Sequence, residues 1–340
     1  MRKRIAQMLI IALLLNICTL AESMASIEGT QPTREWYDAV DCSILTGKKI
    51  CITVQSMKNA YWIGVMAALK DVLKSYGADC RIVSCNDNAA VQLEQIEGFI
   101  LGGCDIIMVH PSDASALEEI CARARGEGIQ VMCWDDPMEN TDVNWILNNH
   151  DLGLEIGRMA GSFINRHYSE QTKADVIVIG YPQTKVLLER ANGIVEGLVE
   201  TAAGKFEIVD SLSALTFPDA LKAVETAIGI YPNAKVVVGI GAGPMLGADE
   251  AMSIAYSGRI LDDMGVFTAD VTSLQLEHLE DPSYPARGVV GYEGSDMDTA
   301  RCCASMMARL LCDEIGARNV YRPILPITGD FSENIRDGMK

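Results

Sequence analysis

Carboxylates, amides, an arginine and paired aromatic rings stand directly after apolar runs of this chain, a placement suited to holding a polyhydroxy compound. Trp134-Asp135-Asp136-Pro137 closes the run that starts at Val131. Adjacent carboxylates are costly to bury without donors. Ligand hydroxyls are such donors, and charge-assisted bonds to them are strong. The same residues would also make an Asp-Pro turn facing water. Asn59, Tyr61 and Trp62 follow the run Ile50–Val54. There the amide would bond hydroxyls and a ring would lie on the apolar face of a sugar. The competing reading is that Tyr61 and Trp62 begin a helix and pack inward. Arg190 opens a helical stretch and offers a planar fork of donors. Otherwise it belongs to a surface pair at i, i+4 spacing. Asp270 stands after the run Val266–Thr268.

These groups bind rather than react. Gly241-Ala242-Gly243 lacks the spacing of a dinucleotide fingerprint and the lysine of a phosphate loop. No nucleophile elbow is present. His110, His150, His167 and His278 have no metal-ligand spacing, and no CxxC pair suggests zinc. The expectation is no catalytic residue, no metal and no cofactor. The formal charge of −18 repels phosphate backbones and excludes a nucleic-acid partner. A repressor would also need a basic helix-turn-helix headpiece, and the amino terminus is not one.

The elements that must position these residues alternate. Strands are expected at Lys49–Val54, Asp79–Ser84, Asp105–His110 and Val131–Trp134, with helices at Tyr61–Tyr76, Ala89–Leu101 and Ser115–Gly126 between them. The rhythm repeats from Asp151. Strands at Ala174–Gly180, Phe206–Ser211, Lys235–Ile240, Val266–Thr268 and Gly288–Gly291 alternate with further helices, the last at Asp296–Gly316. Continuous apolar strands between helices imply parallel sheets covered on both faces. The loose repeat implies an α/β protein of two doubly wound parallel-sheet lobes. Ligands of such sheets sit beyond the carboxyl ends of the strands, where the polar clusters stand.

Arg2, Lys3 and Arg4, the apolar stretch Ile5–Leu15 and the small residues Ser23 and Ala25 read as an export signal over residues 1–25. A lipid anchor at Cys18 is a lesser alternative, because Asn16 and Ile17 fit it poorly. Residues 26–46 are polar and mixed and read as a leader. Hydrophobic residues make up 49% of the chain, enough for a core in each lobe. Eleven cysteines are many for an exported protein. Cys51, Cys104 and Cys133 lie in apolar runs and read as buried free thiols. Cys80 with Cys85, and Cys302 with Cys303, are the first places to expect oxidation.

The chain resembles the type I periplasmic sugar-binding proteins of the ribose-binding group, from about Lys48 to the carboxyl terminus. The resemblance rests on the order of Asn59-Ala60-Tyr61-Trp62, Gly103-Cys104-Asp105 through Pro111-Ser112-Asp113, Gly128-Ile129-Gln130-Val131, Trp134-Asp135, and Glu189-Arg190 with Gly193. It implies a three-crossing hinge near Asn149, Tyr292 and Arg322. The first lobe would be residues 47–149 plus 293–322, and the second 150–292 plus 323–340. Asn59, Tyr61, Trp62 and Asp135 would bind ligand from the first lobe, and Arg190, Phe217 and Asp270 from the second, with Asn149 near the crossover. The implied role is a monomeric receptor that closes on a sugar and delivers it to an ABC importer. A sensor coupled to a membrane kinase or chemoreceptor has the same binding physics. The departures are Asp136 where ribose binders carry arginine, Gly241-Ala242-Gly243 where they carry an Asn-Asp pair, and Tyr292 with Glu293 near their glutamine. They point to a ligand other than ribose, with more donors or a cationic group. Receptors for the furanosyl autoinducer-2 also carry Trp-Asp at this strand end.

Overall fold

The structure, a computed structural model, describes residues 29–57, 60–292 and 294–329, without the side chains of Ala60 and Tyr61. The expected signal, Cys18, Asn59 and Glu293 lie outside the described residues. The first part of the chain runs β1 (Gly29–Thr30), α1 (Arg34–Asp38), β2 (Lys49–Val54), α2 (Ala60–Ser75), β3 (Asp79–Ser84), α3 (Ala89–Leu101), β4 (Ile106–His110), α4 (Ala114–Gly126), β5 (Gln130–Trp134) and β6 (Val143–Ile146). The second runs α5 (Asn149–His167), β7 (Ala174–Gly180), α6 (Lys185–Ala202), β8 (Phe206–Ser213), α7 (Phe217–Ile230), β9 (Ala234–Gly239), α8 (Ala242–Ala255), β10 (Gly265–Ala269), α9 (Ser273–Glu280) and β11 (Ala286–Tyr292). Then come α10 (Asp296–Leu311), β12 (Asn319–Tyr321) and β13 (Ile324–Ile327).

Two separate sheets result, in the orders β1-β12-β6-β5-β4-β2-β3 and β13-β11-β10-β9-β7-β8. Pairings are parallel except that of β13 with β11. Alternate residues of each central strand sort to opposite faces. Ile50, Ile52 and Val54 join one core with Met108 and Trp134, while Cys51 joins another with Ile107 and Val109. Ile177 and Ile179 likewise oppose Val176 and Val178 in the second sheet. Coverage of both faces explains why the strands read as unbroken apolar runs. The chain passes between the sheets after β6, after β11 and between β12 and β13.

Two expectations need correction. From Gly29 onward the expected leader is part of the fold: β1 pairs with β12, and Tyr37, Cys42 and Leu45 are buried in the first core. The Tyr37 hydroxyl accepts from Trp145 Nε1 at 3.0 Å, so one buried aromatic anchors a segment that looked polar overall. Cys51 and Cys104 form a disulfide, whereas neither Cys80 with Cys85 nor Cys302 with Cys303 is bridged. Asp105 brings its loop to β2 by accepting from the Lys49 backbone N–H at 2.8 Å, which sets Cys104 beside Cys51. Cys80 and Cys85 sit near opposite ends of an extended strand, too far apart to bridge. Cys133 is a buried free thiol, as its apolar run implied.

Candidate functional site

The carboxyl ends of the first sheet carry an aromatic group. Trp62 stacks on His110 at 4.0 Å between ring centroids and meets Trp134 edge-on at 5.2 Å. Trp134 in turn meets Trp145 at 4.6 Å. Trp62 is 8% exposed, so it packs inward, the second of the two readings its position allowed. His110 Nδ1 accepts from the Gln55 backbone N–H, and burial pushes the imidazole pKa down, so the ring is a neutral wall. Among the described residues the buried indole N–H of Trp134 has no hydrogen-bond partner.

Asp135 adopts a positive φ of 71°, which aspartate tolerates better than most residues. Its backbone N–H donates to Trp145 O at 3.0 Å, and its Oδ1 accepts from Arg322 Nη1 at 2.9 Å. Asp136 follows at the lip. Its surface is exposed, yet the protein around it and the adjacent Asp135 push its carboxyl pKa up. It makes no ion pair among the described residues.

The second sheet contributes Arg190. It is 7% exposed and not a surface pair. Its Nε and Nη2 donate to Asn149 Oδ1 at 3.1 and 2.7 Å, and Nη1 donates to Ile240 O at 2.6 Å. The same Nη1 lies 3.7 Å from Asp270 Oδ1. Asp270, also at positive φ (68°), accepts from the Ala242 backbone N–H and from the Tyr292 hydroxyl. Burial, then the Asp270 charge, pushes the Tyr292 phenol well above its ordinary range, so it acts as a donor.

Helix packing places Arg190. A Cβ on Gly153 would collide with the Arg190 carbonyl oxygen, and one on Gly193 with the His150 carbonyl oxygen. The glycines let α5 and α6 touch backbone to backbone, which sets Arg190 against Asn149 at the start of α5.

Of the sequence candidates, the structure gathers Asn149, Arg190, Asp270 and Tyr292 into one bonded group. Asp135 and Asp136 stand at the facing end of β5, and Trp62, on the first turn of α2, packs against Trp134 beneath them. Phe217 begins α7 and is 41% exposed. The Tyr61 side chain is outside the described set. Arg322 and His110 were not sequence candidates. The clue to Arg322 was an arginine before Pro323 at a strand end, and for His110 a ring closing an apolar strand.

Residues 50–315 match the periplasmic binding protein domain family, and the chain belongs to it. It is 23% identical over 205 residues to the ribose import binding protein RbsB of Bacillus subtilis, an alignment covering 60% of this chain and 65% of that protein, just under two thirds. A periplasmic ribose ABC transporter structure from Conexibacter woesei superposes with a TM-score of 0.72 at 18% identity, covering 86% of this chain and 96% of the other. An ABC transporter periplasmic solute binding protein from Actinobacillus succinogenes with bound D-allose gives 0.69 at 17% identity, covering 84% and 99%. No helix among the described residues is long and apolar enough to cross a membrane.

Proposed function

We propose that the chain is an extracytoplasmic receptor that closes its two sheet modules on a sugar or polyol and presents it to an ABC importer. The observation that carries this reading is the pairing of a carboxylate from one sheet, Asp135, with an arginine–carboxylate pair from the other, Arg190–Asp270, at facing strand ends. Carboxylates accept from sugar hydroxyls and arginine donates to them, and exclusion of water on closure strengthens each bond. The units that turn would be residues 47–149 plus 293–322, extended back to Gly29 by the pairing of β1 with β12, and residues 150–292 plus those after 322. Export by residues 1–25, and monomeric action on a membrane permease, complete the reading. Asp136, where ribose binders carry arginine, favours a ligand with additional donors over ribose.

Thermal unfolding of residues 26–340 with pentoses, hexoses, polyols and amino sugars tests it. A ligand at about 100 times its Kd should stabilise by about 2.7 kcal/mol. A shift abolished by Asp135→Ala or Arg190→Ala supports the site. No shift across the panel, with no small molecule retained from expression in native mass spectrometry, counts against it.

A further inference from the structure

Arg322 is the most deeply buried cation of this region, at 1% exposure, and it lies on the crossing between β12 and β13. Its backbone N–H donates to Ile146 O at 2.8 Å, which ties it to the end of β6. Its guanidinium carbon lies 5.2, 4.9 and 5.1 Å from the ring centroids of Trp134, Trp145 and Tyr292. Weak hydration lets a guanidinium stack on rings in this way. From that box it donates to Asp135 Oδ1. Tyr292, the ring on the side of the second sheet, donates to Asp270, which pairs with Arg190. Residues of all three crossings, Asn149, Tyr292 and Arg322, therefore belong to one chain of contacts that ends in carboxylates at both strand ends.

We propose that Arg322 is a positioning residue for ligand capture: it fixes Asp135 as an oriented carboxylate and couples it, across the face of Tyr292, to the Asp270–Arg190 pair. This rests on the sugar-receptor reading of the same cleft. One oxygen of Asp135 is committed to Arg322, and among the described residues nothing donates to the other, Oδ2. That oxygen is left for a ligand hydroxyl. A carboxylate at a strand end is held in one orientation only by a partner that grips it, and a charge-assisted bond to a guanidinium does so. The residue after Asp135 cannot supply it, because it is Asp136. The cation arrives instead from a distant part of the sequence, on the segment about which the modules would turn.

The test is a double-mutant cycle in binding, with calorimetric titration of D-ribose, D-xylose, D-allose, L-arabinose and allitol into the wild type and into Arg322→Met, Asp135→Asn and the double variant. Each single change should weaken a sugar that the wild type binds by about 30-fold or more. The double variant should bind no more weakly than the poorer single variant, because the arginine acts through the carboxylate. A simple hinge staple would instead give losses that multiply, and that result, or wild-type affinity in Arg322→Met, overturns the proposal. Arg322→Lys keeps the charge without the flat face and guards against misfolding of Arg322→Met. It should lose about 5-fold or more with a cooperative melt retained, and wild-type affinity in it also overturns the proposal. Binding by the wild type with multiplying losses rejects the role of Arg322 alone. No binding of any probe by the wild type rejects the sugar reading and this proposal with it.

Discussion

In the proposed receptor, single residues of the cleft would act through charges whose partners are already in place. Arg190 has its fork filled by Asn149 and Ile240 O, so it would meet a ligand already oriented. Arg190→Lys keeps the charge but loses the fork, and affinity should fall by roughly 10-fold or more, read by calorimetry. A second buried charge lies away from the cleft. Asp249 is fully buried on α8, with Oδ2 at 2.9 Å from His278 Nδ1 and Oδ1 without a partner among the described residues. Tyr284 stacks on His278, and Arg287 adds a favourable charge. Burial dominates and pushes the Asp249 pKa up to about 6 from 3.8. A raised carboxyl pKa means that the folded protein binds the proton more tightly than the unfolded chain. The contribution of this group is therefore fully present below about pH 4 and is lost as pH rises through about 6. Asp249→Asn should flatten the stability profile between those limits by about 2–3 kcal/mol at most, measured by urea unfolding at successive pH values.

At the scale of elements, glycine contacts and a disulfide hold the parts that position the site. Gly153→Ala forces a methyl into the Arg190 carbonyl, which is backbone and cannot step aside. It should cost about 1–3 kcal/mol in thermal unfolding and weaken ligand binding as well, since α6 must shift with Arg190 on it. A Cys51→Ala, Cys104→Ala pair opens a cross-link between β2 and the approach to β4, closing 53 residues of chain. Its loss should cost about 2–4 kcal/mol in unfolding while leaving sugar affinity close to wild type, because the link lies at the opposite end of β2 from the cleft. The alternating strands and helices were legible because doubly covered strands must be apolar along their whole length, and helices here often stop at glycine. Asp135 and Asp270 were legible because they break those runs. β6, β12 and β13 were not, since strands of three or four residues carry too little pattern to stand out. The disulfide and the Arg322 box depend on parallel register and on contacts across 53 to 187 residues of sequence, which no local spacing records. Trp62 showed its chemistry but not its direction: a ring on the first turn of α2 is equally able to face core or cleft.

For the whole molecule, what matters is how two sheets with their own cores are joined. Each sheet is sealed by apolar clusters on both faces, which in the proposed receptor would let each move as a unit. The sheets are linked by short passages after Ile146, after Tyr292 and between Tyr321 and Ile324. Rotation about three short links costs little internal packing, which is the geometry of hinge closure. A ligand can drive closure only through tighter binding to the closed form, and moving the balance from 1:99 to 99:1 needs about a 10⁴-fold difference. In the proposed receptor, contacts from both sheets, Asp135 on one side and Arg190 on the other, would supply that difference, because an open form would offer a sugar only one of them. Small-angle scattering of residues 26–340 should therefore show a smaller radius of gyration with any sugar that raises the melting temperature. Arg190→Ala should remove the compaction even at sugar concentrations high enough to saturate the first-sheet contacts. Stabilisation by a sugar without compaction would mean that it binds to one sheet alone, and closure would have no part in its capture.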